Sequence, residues 1–267
     1  MTFPYMAIAV LAILIASTAL SMVGVGGGVL YVPILLALGM SFHEAATISL
    51  FVILATSISA FIMYRRRSFV DWKLALAIEP PTFIMALAGG IASNYISESP
   101  LKIVFAAVLI VASIFMIRPT VEKQSITAQK WGYWRRTVGD TSYVARLPGL
   151  MPATTLAGFV AGMIGISGGI FKMPAMVLIG NVPIRIAIGT SSLMVAATAT
   201  AGLIGHTIGG SFHIMVMLPL AVAAFAGGRL GATLSIKVKA GILRRFFAVL
   251  LLLVSAWLII NEVIQHL

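Results

Sequence analysis

Two short glycine-rich segments and the polar residues beside them are the parts of this sequence best suited to binding a small anion. The segment Gly24-Val-Gly-Gly-Gly28 has a counterpart in Gly165-Ile-Ser-Gly-Gly169. A helix that begins after such a cluster presents free backbone N–H groups and the positive end of its dipole. The alternative is that these small residues serve only close helix packing. The predicted substrate site begins with Gly26, Gly27, Gly28, Ser167, Gly168 and Gly169.

One lysine and several hydroxyl groups follow the two glycine-rich segments and extend this predicted site. Lys172 lies three residues after Gly169. It could attract an anion, pair with an acidic residue, or extend its amine to a surface. A helix hydroxyl could bind an oxyanion, or it could donate to the carbonyl four residues earlier in its own helix. The hydroxyls assigned to the substrate site are those of Thr47, Ser49, Thr190 and Ser192.

Two further ionisable residues are candidates for coupling or gating. Glu79 precedes Pro80-Pro81 and could exchange a proton; alternatively, it lies near a membrane surface beside Lys73 or Arg67. His206 could sense pH or form a gate, and the alternative is a loop position without a role. The chain has no cysteine and its four histidines are scattered, so no metal site and no cofactor are predicted. No HExxH or phosphate-loop motif indicates an enzyme.

The elements that must position these residues are membrane helices. Of 267 residues, 60% are hydrophobic and only 9% are charged, with a mean hydropathy of +1.09. Soluble domains carry about 25% charged residues, so most of this surface must face lipid. Long unbroken apolar runs such as 246–260 favour helices over a β-barrel, whose strands alternate. The net charge of +11 comes from basic loops and indicates orientation in a membrane rather than nucleic-acid binding.

The apolar segments predict six full crossings and two glycine-broken segments. The six are 43–64, 73–93, 101–117, 184–208, 213–234 and 243–263. Segments 5–39 and 149–180 are too long for one crossing and short for two. If each is a re-entrant hairpin, the basic loops 65–67, 118–147 and 237–245 all face the cytoplasm, as the positive-inside rule requires. A single crossing by each broken segment remains the alternative.

The two halves of the sequence match each other in order, which indicates an internal duplication. Residues 22–28 match 163–169, residues 47–50 match 190–193, and residues 88–90 match 226–228. The predicted fold is an all-α membrane protein with two repeats of opposite orientation, each a glycine-broken helix plus three transmembrane helices. The predicted units are a first repeat (1–118), a cytoplasmic basic linker (119–147) and a second repeat (148–267). We interpret the glycine pairs of the third helices as packing positions: Gly89, Gly90, Gly227 and Gly228.

The glycine and proline pattern also resembles a known family. Gly-x-Gly-Gly-Gly at 24–28, then Pro33, Gly39 and Ala-Thr-Ile-Ser-Leu at 46–50, with its echo at 165–193, is similar to the TauE/SafE family of sulfite exporters. The resemblance covers essentially the whole chain. It implies a multi-pass protein of the cell inner membrane that exports small sulfur-containing anions such as sulfite, sulfoacetate or related organosulfonates.

The expected mechanism is secondary transport by alternating access between two repeats. The expected partners are a small anionic substrate, the lipid bilayer and protons as a coupling ion, with no nucleic acid. An anion or ion channel with a filter at the paired breaks is the main alternative, and import of another small anion is a further one.

Overall fold

The membrane part of the protein is a bundle of α-helices. The computed structural model describes residues 3–23, 28–117, 131–166, 168–208, 213–235 and 240–265. Within these residues the elements, in chain order, are α1 (Phe3–Val23), α2 (Gly28–Ala37), α3 (Phe42–Arg65), α4 (Trp72–Ser93), α5 (Glu98–Ile117), β1 (Tyr133–Val138), β2 (Thr141–Arg146), α6 (Leu147–Met163), α7 (Gly169–Leu178), α8 (Ile184–Thr207), α9 (Ile214–Leu234) and α10 (Ala240–Gln265).

Several of these helices could cross a membrane. Among the described residues, five helices have the necessary length and apolar composition: Tyr5–Met22, Phe42–Arg65, Trp72–Ser93, Ile184–Thr207 and Ile214–Leu234. A helix of about 20 residues spans the hydrocarbon core at 1.5 Å per residue. A helical, multi-pass membrane protein, as predicted from composition, is therefore confirmed.

Each glycine-rich segment separates a longer helix from a helix of 10 residues. The 21-residue α1 ends at Val23 and α2 begins at Gly28, while the 17-residue α6 ends at Met163 and α7 begins at Gly169. Gly168 has a φ of 67°, in the left-handed region that favours glycine, and this turn redirects the chain into α7. The prediction that the second glycine cluster opens the helix is confirmed. Gly26, Gly27 and Ser167 lie outside the described residues.

Helices of the two halves are interleaved. Helix α4 of the first half packs against α6 and α8 of the second half, and α9 of the second half packs against α1 and α3 of the first. Because α4 corresponds to α9 in the sequence repeat, α6 to α1 and α8 to α3, corresponding helices have corresponding partners. The pair α3–α8 and the pair α5–α10 also pack across the two halves. Neither half therefore forms a separate helical unit.

Glycines allow α4 and α9 to approach their partner helices in the other half closely. A Cβ added at Gly90 of α4 would lie 2.6 Å from the carbonyl oxygen of Gly202 on α8. A Cβ at Gly228 of α9 would lie 2.7 Å from the carbonyl oxygen of Thr56 on α3. The neighbouring Gly89 and Gly227 meet α6 and α1 even more closely. The interpretation of these four glycines as packing positions is confirmed.

A β-hairpin that the sequence analysis did not predict occupies the end of the central linker. Strands β1 and β2 are antiparallel, from the pair Tyr133 and Arg146 to the pair Val138 and Thr141. Tyr143 and Ala145 of β2 are buried. The backbone N–H of Arg146 donates to the carbonyl of Gly180 at 3.0 Å, which joins the start of α6 to the residue pair after α7. The hairpin therefore covers one end of the helical bundle.

Candidate substrate site

A buried ion pair lies beside the second glycine-rich break. The Nζ atom of Lys172 on α7 donates to Oε1 and Oε2 of Glu79 on α4, at 2.9 and 2.8 Å. The Lys172 side chain is fully buried and that of Glu79 is 11% exposed. Transferring two isolated charges into an apolar interior is costly, so each stabilises the other by charge and by hydrogen bonds. The pair joins the two halves of the chain.

Oxygen atoms of α8 complete the surroundings of Lys172. Its Nζ contacts the hydroxyl of Thr198 and lies 3.3 Å from the carbonyl of Met194. The Thr198 hydroxyl also lies 2.5 Å from Oε1 of Glu79. A lysine ammonium has three N–H groups, and four oxygen atoms surround it here. The described state therefore leaves no N–H group of Lys172 over for an anion.

Local sequence explains how these three side chains meet. The carbonyl of Gly168, the residue directly before α7, accepts the N–H groups of Phe171 and Lys172 at 3.0 and 2.9 Å, so Lys172 lies on the first turn of α7. Glu79 directly precedes Pro80-Pro81 inside α4, where two consecutive residues lack a backbone N–H group. Carbonyls one turn earlier in α4 thus lack their usual helical donors, although α4 continues as one helix through both prolines.

The predicted glycines are placed at helix starts where the structure describes them. Gly28 and Gly169 are the buried first residues of α2 and α7. Among the described residues no side chain caps the N-terminus of α7. Gly169 lies three residues before Lys172, so this helix start and the ion pair belong to one region. The substrate role of these glycines stays a prediction.

The predicted hydroxyls bind other parts of the chain in this state. Thr47 donates to the carbonyl of His43 at 2.9 Å, and Ser192 donates to that of Gly189 at 2.6 Å, both within their own helices. Ser49 lies 3.5 Å from the carbonyl of Gly28. The structure thus brings Ser49 beside the first break.

Thr190 has a separate partner away from Lys172. Its hydroxyl accepts the backbone N–H of Asp71 at 2.9 Å, and both residues are buried. This contact joins α8 to the start of α4. The roles of all four hydroxyls in substrate binding stay predictions.

Two alternatives considered for the ionisable residues are wrong. Glu79 does not pair with Lys73 or Arg67 but with Lys172, because α7 and α4 pack within one cluster of helices that sequence proximity does not indicate. His206 is not in a loop: it lies on α8, 1% exposed, and its Nε2 is 2.8 Å from the carbonyl of Gly162 on α6. Its role as a gate stays a prediction.

In the first half, the position equivalent to Lys172 is occupied by a tyrosine that belongs to an uncharged cluster. Tyr31 of α2 is fully buried, and its hydroxyl lies 2.8 Å from that of Thr56 on α3. In both halves, therefore, the short helix after the break presents a polar side chain to a threonine of the next long helix. Only the second of these two clusters holds a charge, so the duplication has become asymmetric.

Sequence reasoning missed Thr198. The hydroxyl is 26 residues from Lys172 and 119 residues from Glu79 in the chain, so no local spacing connects the three. The only signal is a threonine within the apolar second half of α8, and such residues commonly bond their own helix; Thr198 also donates to Met194 at 2.9 Å.

A second ion pair that sequence reasoning missed ties the β-hairpin to the helices. Arg136 of β1 donates from Nε and Nη2 to Asp71 at 2.9 and 2.7 Å, and the Tyr143 hydroxyl of β2 donates at 2.8 Å. Asp71 also caps α4 by accepting the N–H of Leu74 at 2.9 Å. Burial alone would raise the pKa of the Asp71 carboxyl, but the hydrogen bonds from Arg136, Leu74 and Tyr143 hold that pKa below its ordinary value.

Comparison with known proteins identifies the family. A model of the sulfite exporter TauE/SafE family matches residues 9–258. This chain belongs to the TauE/SafE family. The resemblance seen in the glycine and proline pattern is thereby confirmed, and the family is one of membrane transporters.

Curated relatives agree with this assignment. The probable membrane transporter protein YunE of Bacillus subtilis is 27% identical, over 92% of this chain and 94% of the relative. The probable membrane transporter protein YfcA of Escherichia coli is 25% identical, over 89% and 83%. The probable membrane transporter protein MJ0441 of Methanocaldococcus jannaschii is 24% identical, over 82% of each chain. No solved structure gives a significant match.

Proposed function

We propose that this TauE/SafE protein is a secondary transporter that exports small sulfur-containing anions across the cell inner membrane. Sulfite, sulfoacetate and related organosulfonates are the proposed substrates. The observation that carries the proposal is the buried Lys172 beside the start of α7, held by Glu79 and Thr198 from two other helices. Among the residues whose side chains the structure describes, Lys172 is the one fully buried lysine or arginine. An ionisable residue at this depth marks a substrate or ion pathway.

The helix start beside Lys172 suits an anion. The first N–H groups of a helix have no partner within it and carry partial positive charge. Gly168 and Gly169 have no side chain that would cover those groups, and Lys172 adds a full positive charge on the same first turn. Together they would bind a sulfonate or sulfite group by charge and by hydrogen bonds to its oxygens.

We further propose that the two repeats are inverted and that the broken segments are re-entrant. The hydrogen bond from Arg146 to Gly180 supports this for the second half, because it places the start of α6 and the end of α7 at the same end of the bundle. Asn181 beside α7 also donates to Val144 of the hairpin at 3.3 Å. The arginines at 65–67, where α3 ends, and at 135–136, in β1, lie at that end, which we assign to the cytoplasm.

Alternating access would then involve units different from the two repeats. The interleaved packing groups α9 with α1 and α3, and groups α4 with α6 and α8. We propose that these two groups move relative to each other, since each repeat contributes one helix to the other group. The contact between α3 and α8 would be the surface along which they move.

Substrate-dependent thermal stabilisation of the purified protein tests the proposal. Sulfite, sulfoacetate, taurine, thiosulfate and sulfate would be compared, and a ligand at a hundredfold excess over Kd stabilises by about 2.7 kcal/mol. We expect a shift with sulfite or an organosulfonate that is lost in Lys172→Gln and retained in the control Lys73→Gln, an exposed lysine of α4. If only a solute without sulfur stabilises the protein, the substrate assignment is wrong.

Flux into proteoliposomes separates a transporter from a channel. A transporter gives saturable flux and accelerates the exchange of labelled for unlabelled substrate across the membrane. A channel gives single-channel currents and no such acceleration, and that result would contradict the proposal.

A further inference from the structure

The contacts of Lys172 raise the question of how an anion could reach it. Its three N–H groups already face Glu79, Thr198 and the Met194 carbonyl. While Glu79 is ionised, an anion that approaches Lys172 is repelled by the Glu79 carboxylate, which lies within hydrogen-bond distance of the same amine. Binding therefore requires Glu79 to lose either its position or its charge.

We propose an exchange of ligands on Lys172: one monovalent substrate anion replaces the Glu79 carboxylate while Glu79 takes up one proton. This inference rests on the proposed function and assigns its coupling ion and the charge class of its substrate. Protonation turns Glu79 from an acceptor on both oxygens into a neutral acid whose O–H can donate to Thr198. N–H groups of Lys172 then become available to the anion.

Charge balance favours this exchange over binding of an anion alone. Without substrate, Lys172 and Glu79 sum to zero charge. With a monovalent anion and a protonated Glu79, the charges of Lys172 and the anion again sum to zero. Both states keep the buried site neutral, which lowers the cost of moving it through an apolar interior. A divalent anion would leave one negative charge in excess, so monovalent sulfonates and hydrogensulfite fit better than sulfate.

Glu79 is the one titratable side chain that bonds Lys172 among the described residues. Besides the pair itself, the helices packed against α4, α7 and α8 are α3, α5 and α6. Helix α6 contains no ionisable residue. The remaining titratable residues of α3, α4, α5 and α8 are His43, Glu44, Tyr64, Arg65, Lys73, Glu98, Lys102, Arg185 and His206. None of them shares a contact with Lys172 among the hydrogen bonds and ion pairs of the described residues.

The exchange makes the protein a proton–anion symporter. Proton and anion bind in the same state and are released together, so the direction of transport follows the sum of the anion gradient and the pH gradient. Export then occurs when the ratio of internal to external anion concentration exceeds the ratio of external to internal proton concentration. For a monovalent anion the transported complex is neutral, and flux does not depend on membrane potential.

Binding of methanesulfonate at several pH values tests the exchange on the intact protein. This probe keeps one negative charge between pH 5 and 8, so any pH dependence belongs to the protein. We expect the wild-type affinity to rise about tenfold for each unit of falling pH while Glu79 is ionised in the free protein. We also expect about one proton to be taken up per anion bound, measured with a pH dye in weak buffer.

The variant Glu79→Gln imitates the protonated acid and should separate two transport modes. We expect its affinity for methanesulfonate to be independent of pH and no weaker than that of the wild type at pH 5. We also expect exchange of labelled for unlabelled anion to persist while net, pH-driven flux falls to the level of empty liposomes, because the unloaded site would carry the uncompensated charge of Lys172. The matched control Glu44→Gln, which retains a side chain able to cap α3, should keep both modes.

The outcomes distinguish the exchange from the function on which it rests. One outcome is that wild-type protein binds sulfonates and catalyses exchange of labelled for unlabelled anion without pH dependence and without proton uptake. In that case the proposed replacement of the Glu79 carboxylate is wrong and the transporter assignment stands. If wild-type protein neither binds nor exchanges any sulfonate between pH 5 and 8, both are wrong. Should Glu79→Gln fail to fold, the proton-uptake measurement on the wild type still decides the question.

Discussion

Lys172 and Glu79 are 93 residues apart in the chain, and the lysine amine donates to both oxygens of the glutamate in a buried position. One residue follows the glycine break of the second repeat and the other lies in the first repeat. The bond therefore holds the short helix α7 against α4 from the other half. Any substrate that binds at α7 must change this contact, which makes it the central element of the proposed site.

Removing either charge of this pair alone should destabilise the protein. Lys172→Met leaves Glu79 without a cation, and breaking a buried ion pair from one side costs about 3–5 kcal/mol. The double variant Lys172→Met with Glu79→Leu removes both charges and should recover most of that loss. Thermal unfolding in detergent measures both effects, with exposed Lys73→Met as the control.

Transport should separate from stability in the same variants. The double variant should be folded but inactive in anion flux, because no buried cation remains to bind the substrate. A double variant that still transports sulfonates would place the substrate elsewhere.

The close contacts of α9 predict a steric effect of one methyl group. Gly228→Ala places a Cβ 2.7 Å from the Thr56 carbonyl on α3, so the two helices must move apart. We expect a loss of about 1–3 kcal/mol, as is typical of overpacked interiors. The neighbouring Ala226→Val adds more volume at an exposed position and should have little effect. Equal thermal stability of Gly228→Ala and the wild type would contradict this packing.

Sequence patterns predicted the region of the candidate site but not the contacts within it. The glycine cluster predicted the interruption before α7 because glycine is unfavourable inside a helix and permits the left-handed turn at Gly168. Lys172 was predicted to belong to the site because an ionisable side chain within an apolar membrane segment is costly and is usually functional. Its partner could not be read from the sequence, since Glu79 and Thr198 reach it only through packing between the two repeats.

The β-hairpin could not be predicted for a different reason. Its basic and aromatic residues, such as Trp134 and Arg136, have the composition of a membrane-surface linker. What makes it a defined element is tertiary: the contact of Arg136 and Tyr143 with Asp71, and the contact of Arg146 with Gly180. Neither contact has a sequence spacing that would indicate it.

The low pKa of Asp71 predicts a loss of stability in acid. A carboxyl whose pKa is lower in the folded protein stabilises it above the ordinary pKa of about 3.9, and this contribution disappears as pH falls through the lower, folded-state value. Asp71→Asn should therefore cost about 1.5–3 kcal/mol at pH 7, the value of charge-assisted hydrogen bonds. Melting temperatures of variant and wild type should converge as pH falls below 4.

The control for this experiment is the turn of the same hairpin. Asp140 is exposed between β1 and β2, and Asp140→Asn should leave the melting temperature unchanged at pH 7 and at pH 3. A constant difference between Asp71→Asn and the wild type from pH 7 to pH 3 would show that the charge of Asp71 is not what stabilises the hairpin.

The natural absence of cysteine allows the proposed topology to be tested without removing any residue. Single cysteines at Tyr95, Asp140 and Asn181 report on the α4–α5 loop, the hairpin turn and the end of α7. We expect a membrane-impermeant maleimide to label Tyr95→Cys in intact cells and to label the other two only after permeabilisation. The physical reason is that basic residues favour the cytoplasmic side, and we propose that the hairpin end with its arginines faces the cytoplasm.

Each alternative topology gives a different labelling pattern. If α6 and α7 together crossed the membrane, Asn181→Cys would be labelled from outside while Asp140→Cys stayed protected, which would contradict the re-entrant arrangement. If Asp140→Cys and Asn181→Cys were labelled from outside and Tyr95→Cys were not, the hairpin would be re-entrant but the orientation reversed. Because Arg146 and Gly180 are joined by a backbone hydrogen bond, the structure favours equal labelling of positions 140 and 181 in either orientation.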